Sequence, residues 1–228
     1  MEYKKQKYIC KYIDHDIEIG NNFDKEEWNI ANPINKFYIP VSLEEPISKT
    51  QAGLLWSDNY LYCFFKAYDK DIFALETQRD AWTFVDDVCE LFIKTNPAEE
   101  PYYNWEINAL NTVYDAYNLR GGNGAGGSRR WCKWVCEGMK SAVNIKGEIN
   151  IPDAIDVYWQ LEIAIPFSSL KIPGKTIPKA GDEWTFHVSR YDYSIHLPGN
   201  GEQSFSSAQL SKNNFHHFDD WDYLVFEK

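Results

Sequence analysis

No apolar run in this chain approaches the roughly twenty residues that a membrane-crossing helix needs. No amphipathic segment is long enough for a βαβ crossover either, which argues against a parallel α/β sheet. Cysteine is sparse and scattered: Cys10, Cys63, Cys89, Cys132 and Cys136 contain no CxxC pair, so a zinc site is not expected. Cys63 and Cys89 lie inside apolar runs and read as small core residues. Basic residues are in deficit, and the formal net charge is −11. That balance repels phosphate backbones and anionic membranes, so neither nucleic acid nor a membrane is an expected partner. The start, MEYKKQKYICKYI, is basic but holds no apolar segment of signal-peptide length. The expectation is a soluble chain that is cytoplasmic as it stands, or extracellular or periplasmic had a leader been removed.

Several catalytic signatures are missing too. No Ser or Cys stands in a nucleophile elbow, and no His-x-x-x-His offers a metal pair. His216 and His217 are adjacent, and in a strand adjacent side chains point to opposite faces. The run Gly121 to Gly127 contains a literal GxGxxG at Gly122, Gly124 and Gly127. No helical pattern follows it, so it reads as a loop rather than a dinucleotide site. A haem-binding reading has only Met139 and a His such as His187 to offer as axial ligands.

What is present is aromatic and β-rich. Aromatics make up 16% of the chain, with 9 Trp and 15 Tyr, which suits ligands that have both apolar faces and hydroxyls. Strand signals fall at Tyr8 to Ile13, Ala52 to Trp56, Leu61 to Tyr68, Val88 to Ile93 and Tyr103 to Ala109. They continue at Ser141 to Ile145, Val157 to Ile165, Glu183 to Tyr191 and Tyr223 to Phe226. Trp56 to Leu61 reads as a hairpin through Ser57-Asp58-Asn59. Helical pieces are brief: a turn capped by Asp24 and running through Trp28, and another over Pro166 to Leu170. The expected fold is all-β, an antiparallel two-sheet sandwich with a few short helical turns, forming a single domain over residues 1–228.

The stretch RDAWTFVDDVCELFI, residues 79–93, carries the strongest functional signal. Trp82 stands among Asp80, Asp86 and Asp87, and Glu90 interrupts an otherwise apolar strand. Such a Glu needs a solvated groove or a partner. A cross-strand bond to Asn108 would satisfy it. Alternatively it forms a polar floor with Glu106 and Asn108, which share one face of their strand, and Trp82 stands beside it. Carbohydrate needs both an aromatic plate and bidentate polar groups. Asp87, Glu90, Glu106 and Glu162 would also supply paired carboxyls to a glycosidase, which is the alternative reading.

These residues resemble the family 9 carbohydrate-binding modules, within the broader DOMON-like group of β-sandwiches. The similarity runs through Ile17-Glu18-Ile19-Gly20 to Trp28, TQAGLLWSDNYLY at residues 50–62, Asp87 to Ile93, and Tyr102-Tyr103 with Glu106-Ile107-Asn108. It continues in WQLEIAIP at residues 159–166, Gly181 to Trp184, Asn214-Phe215-His216 and Trp221 to Leu224. The resemblance implies non-catalytic binding of oligosaccharide or polysaccharide ends in the service of glycan catabolism. Trp82 and Phe215 would be the aromatic plates, and Glu90, Glu106, Asn108 and His216 would fall at or beside hydrogen-bonding positions. Glu106 stands where the best-known members carry a basic residue, and Phe215 where they carry Trp. The resemblance also implies a possible structural calcium, with Asp69, Asp71 and Asp87 as candidate ligands.

Overall fold

The computed structural model describes residues 3–20, 22–120, 129–131, 134–151, 153–170 and 177–228. The glycine-rich run and Cys132 lie outside the described residues. The fold is all-β. Its strands are β1 (Lys7–Tyr12), β2 (Thr50–Trp56), β3 (Tyr60–Tyr68), β4 (Val88–Lys94), β5 (Tyr102–Asn108) and β6 (Val113–Arg120). Then come β7 (Arg129–Trp131), β8 (Lys140–Lys146), β9 (Tyr158–Pro166), β10 (Glu183–Tyr193), β11 (Glu202–Ser206) and β12 (Asp222–Glu227). Helix among the described residues is confined to short 3-10 turns.

All nine expected strands are present, and the hairpin at Trp56 to Leu61 joins β2 to β3 in antiparallel register. Ser57 Oγ accepts the backbone N–H groups of Asn59 and Tyr60, both at 3.2 Å, which fixes that turn. Asp24 does not cap the first helical turn. The turn spans Glu26–Asn29, with Lys25 at its start and no side-chain cap. The turn after β9 runs Phe167–Ser169, inside the expected stretch.

The sheet differs from the expected sandwich. Hydrogen bonding runs in one continuous order, β7-β6-β5-β4-β10-β12-β1-β2-β3-β9-β8, with β11 attached to β10. The sheet curls as a half-barrel, and two separately bonded sheets are not seen among the described residues. β1 is the reason. It runs parallel to β12 over Lys7 to Lys11, then parallel to β2 at Lys11 and Tyr12, and so passes from one half to the other. Among the described residues all other strand pairs are antiparallel.

Alternation sorts the side chains. Leu54, Phe65, Leu161 and Ile163 from one half meet Leu91, Ile93, Trp105 and Val188 from the other in one core. The opposite face of β4, β5 and β10 is covered by a second cluster, in which Phe92, Tyr102, Phe215 and Trp221 pack together.

Candidate functional site

Trp82 opens a short turn, Thr83–Val85, that leads into β4. It is 67% exposed, and its ring stacks on Phe84 with centroids 5.9 Å apart. The acids around it have different work. Asp86 Oδ1 and Oδ2 accept the backbone N–H groups of Leu75 and Glu76, both at 3.0 Å. Asp87 accepts those of Phe73 at 2.7 Å and Tyr193 at 2.8 Å. Both are buried, so they act as clamps that tie the loop before Trp82 and the end of β10 to β4. Asn108 is part of the same clamp. Its Nδ2 donates to Asp86 Oδ2 and to the Glu76 carbonyl, both at 2.8 Å, and its Oδ1 accepts Leu110 and Thr112 N–H.

Glu90 lies on the face of β4 away from the core, in a row that reads Ser189, Glu90, Glu106, Tyr114 across β10, β4, β5 and β6. The cross-strand partner of Glu90 is therefore Glu106, and Asn108 pairs with Val88. Ser189 Oγ donates to Glu90 Oε2 at 3.1 Å, and Asn104 Nδ2 donates to Glu106 Oε1 at 2.8 Å. Both carboxyls are buried. Burial pushes Glu90 well above the ordinary carboxylate range, and the Glu106 charge opposite pushes the same way.

Phe215 is buried at 6% exposure, with its ring 5.2 Å from that of Tyr191 and 5.8 Å from that of His187. Its carbonyl accepts His187 Nε2 at 3.0 Å and Trp221 Nε1 at 2.9 Å. His216 is half-buried, and its Nδ1 bonds the Tyr102 hydroxyl at 2.7 Å. The structure thus groups Glu90 with Glu106, and Phe215 with His216. It leaves Trp82 exposed on the loop before β4 and assigns Asn108 to the clamp. Sequence reasoning missed Ser189, Tyr191 and Tyr193, although period-two alternation along β10 places all three on the Glu90 face. The Tyr191 and Tyr193 rings stack with centroids 6.3 Å apart, and the Tyr193 hydroxyl donates to the Phe84 carbonyl at 2.7 Å. Tyr193 also lines a cavity of about 740 Å³ with Leu75, Ile151 and Ile195.

The acids suggested for calcium separate. Asp69 and Asp87 come together with Asp192, within 4.8 Å of one another, and Asp71 is not in that group. The group already holds a cation: Arg190 Nη2 donates to Asp69 Oδ2 at 2.7 Å and to Asp192 Oδ1 at 2.6 Å. With both Asp87 oxygens taken by backbone N–H groups, Asp192 Oδ2 is left without a hydrogen bond. Calcium takes six to eight oxygens, roughly. The group fits the guanidinium and does not fit that ion. Burial pushes Asp87 well up, and pushes Asp69 up to about 6 against the opposing pull of Arg190. His187, considered as a haem axial ligand, bonds Ser206 Oγ through Nδ1 and donates to the Phe215 carbonyl through Nε2, so both ring nitrogens are taken.

The described residues thus form an all-β half-barrel with an exposed Trp on the loop before β4 and a buried row of carboxyls on β4 and β5. Residues 19–225 match the carbohydrate family 9 binding domain-like family, and the chain belongs to it. The family is one of non-catalytic carbohydrate-binding modules. No curated protein matches the chain. Among solved structures, one from Bacteroides uniformis, described as a candidate carbohydrate-binding protein, superposes with a TM-score of 0.76 at 13% identity. The superposition covers 98% of this chain and 100% of that one. A family 9 carbohydrate-binding module from Caldicellulosiruptor kristjanssonii in complex with cellotriose gives 0.63 at 12% identity, covering 97% and 94% of the two chains. The same organism's family 9 module in complex with glucose gives 0.60 at 13% identity, covering 97% and 96%.

Proposed function

We propose that the protein holds a neutral sugar, at the end of a glycan chain, against Trp82 without cutting it, and so serves glycan catabolism. The observation that carries this reading is an exposed Trp on a loop clamped by Asp86, Asp87 and Asn108. So large an apolar ring left open to water is best explained by a ligand that covers it. In this reading the pyranose C–H face stacks on Trp82, with Phe84, Tyr191 and Tyr193 extending the surface toward Phe215. Glu90 and Glu106 supply hydrogen-bonding groups beneath the sugar edge, Phe215 and His216 back the opposite wall, and Asn108 positions the loop. The cellotriose and glucose complexes of the structural neighbours support sugar as the ligand class. Calorimetric titration with cellotriose and glucose tests it. Wild-type protein should release heat on binding and Trp82→Ala should not. Equal binding by both proteins would move the site elsewhere.

A further inference from the structure

A cavity of about 410 Å³ opens on the other half of the molecule, on the outer face of β2, β3 and β9. That volume lies in the range of small-molecule sites. Its floor is aromatic: Trp28 stacks on Phe64 with centroids 5.3 Å apart and 29° between the planes. The pair is anchored from beneath. The Trp28 indole N–H donates to Glu162 Oε1 at 2.8 Å, and Lys25 Nζ donates to the same carboxylate at 2.6 Å. Gly53, opposite Phe64 on β2, lets the segment after Trp28 come close, since a Cβ there would lie 3.2 Å from that of Ala31.

Beside the floor runs a polar row in register across four strands: Gln51, Lys66, Gln160 and Asn144. Gln51 Nε2 donates to Asn35 Oδ1 at 3.1 Å, and Asn144 Nδ2 donates to Gln160 Oε1 at 2.9 Å. Among the described residues nothing accepts from Gln160 Nε2, although Gln160 is 3% exposed and lines the cavity. Its amide nitrogen is not among the sealed-off polar atoms, so its hydrogens face the cavity and are available to a ligand. The charges around the cavity balance: Lys25 and Lys66 stand against Glu162 and Asp24.

We propose that this cavity is a second sugar site, for a neutral pyranose unit stacked over Phe64 and Trp28 and hydrogen-bonded by Gln51, Lys66 and Gln160. An aromatic floor, uncommitted amide groups at its edge and no net charge match a polyhydroxylated ring and disfavour an ionic ligand. The site stands on its own residues, with the core between it and Trp82. Sites on two outer faces would let one molecule grip two glycan chains, or two stretches of one, and gain avidity without any new contact.

Nuclear magnetic resonance titration of the full chain reads both faces at once, with glucose, galactose, N-acetylglucosamine and cellotriose as probes. The Trp28 indole and the Gln51 and Gln160 side-chain amide signals should move with at least one probe, in wild type and in Trp82→Ala alike. In a Gln51→Ala/Lys66→Ala variant with an otherwise unchanged spectrum, the affinity read from the Trp28 signal should fall at least tenfold. Trp28 and Gln160 signals that stay still with every probe, or move only while Trp82 is intact, would overturn the proposal. Movement at Trp28 with none at Trp82 would sink the Trp82 reading and leave this one standing.

Discussion

At the scale of single residues, exposure separates binding from packing. Trp82 is largely exposed and stacks on Phe84, so Trp82→Ala should cost no more than the roughly 0.5–1.5 kcal/mol of an aromatic pair while removing sugar binding. Calorimetric melting beside titration checks both; a large loss of stability with intact binding would reverse the assignment. Glu90→Gln has a different expectation. Burial, and the Glu106 charge opposite, raise Glu90 in the folded state, so its stabilising contribution is present below the ordinary carboxylate range and lost as pH rises through that raised value. The Gln variant, which cannot titrate there, should show a flatter pH dependence in urea melts. Its sugar affinity should fall by only about 0.5–1.5 kcal/mol, the range of a neutral hydrogen bond. Glu90 was legible in the sequence because it breaks an apolar run. Its partner was not, because strand register depends on the long-range pairing of β4 with β5.

At the scale of elements, the strands with clean alternation were legible and the polar ones were not. β6 carries Asp115 and Asn118 inside the strand, where turn residues usually mark an end. Both are buried and bonded, Asp115 to Arg79 and to the Cys136 N–H, and Asn118 to Asn104. Tertiary partners outweigh propensity there. β11, EQSFS, has too little apolar content to stand out. β10 carries the other hidden feature, Arg190, fully buried between Asp69 and Asp192. Arg190→Met would strand those carboxyls, and breaking a buried pair costs about 3–5 kcal/mol. Thermal melting should show that loss in the variant, while chelation of calcium leaves the wild-type midpoint in place. A chelator-sensitive midpoint traced to Asp69, Asp87 and Asp192 would show that a metal ion shares the cluster after all.

At the scale of the whole molecule, β1 decides how the sheet closes, and no local signal in Lys7–Tyr12 announces a strand parallel to both of its neighbours. The entry to this junction is titratable. Asp222 begins β12 and accepts the Gln6 N–H at 2.7 Å, just before β1 starts. Burial raises Asp222 to about 7, against the opposing effects of that hydrogen bond and of Lys5. A carboxyl raised in the folded state binds its proton more tightly there than in the unfolded chain. Its contribution is therefore fully present below the ordinary carboxylate range and is lost as pH climbs through about 7. The general repulsion of a chain with net charge −11 also grows with pH, so the wild-type slope alone assigns nothing. Asp222→Asn isolates the group, because the amide oxygen still accepts from Gln6 while the titration is gone. Denaturant melts at pH 5 and pH 8 should show wild type losing more stability across this range than the variant. Parallel losses would mean that Asp222 ionises without cost and that the junction of the two halves does not sense pH.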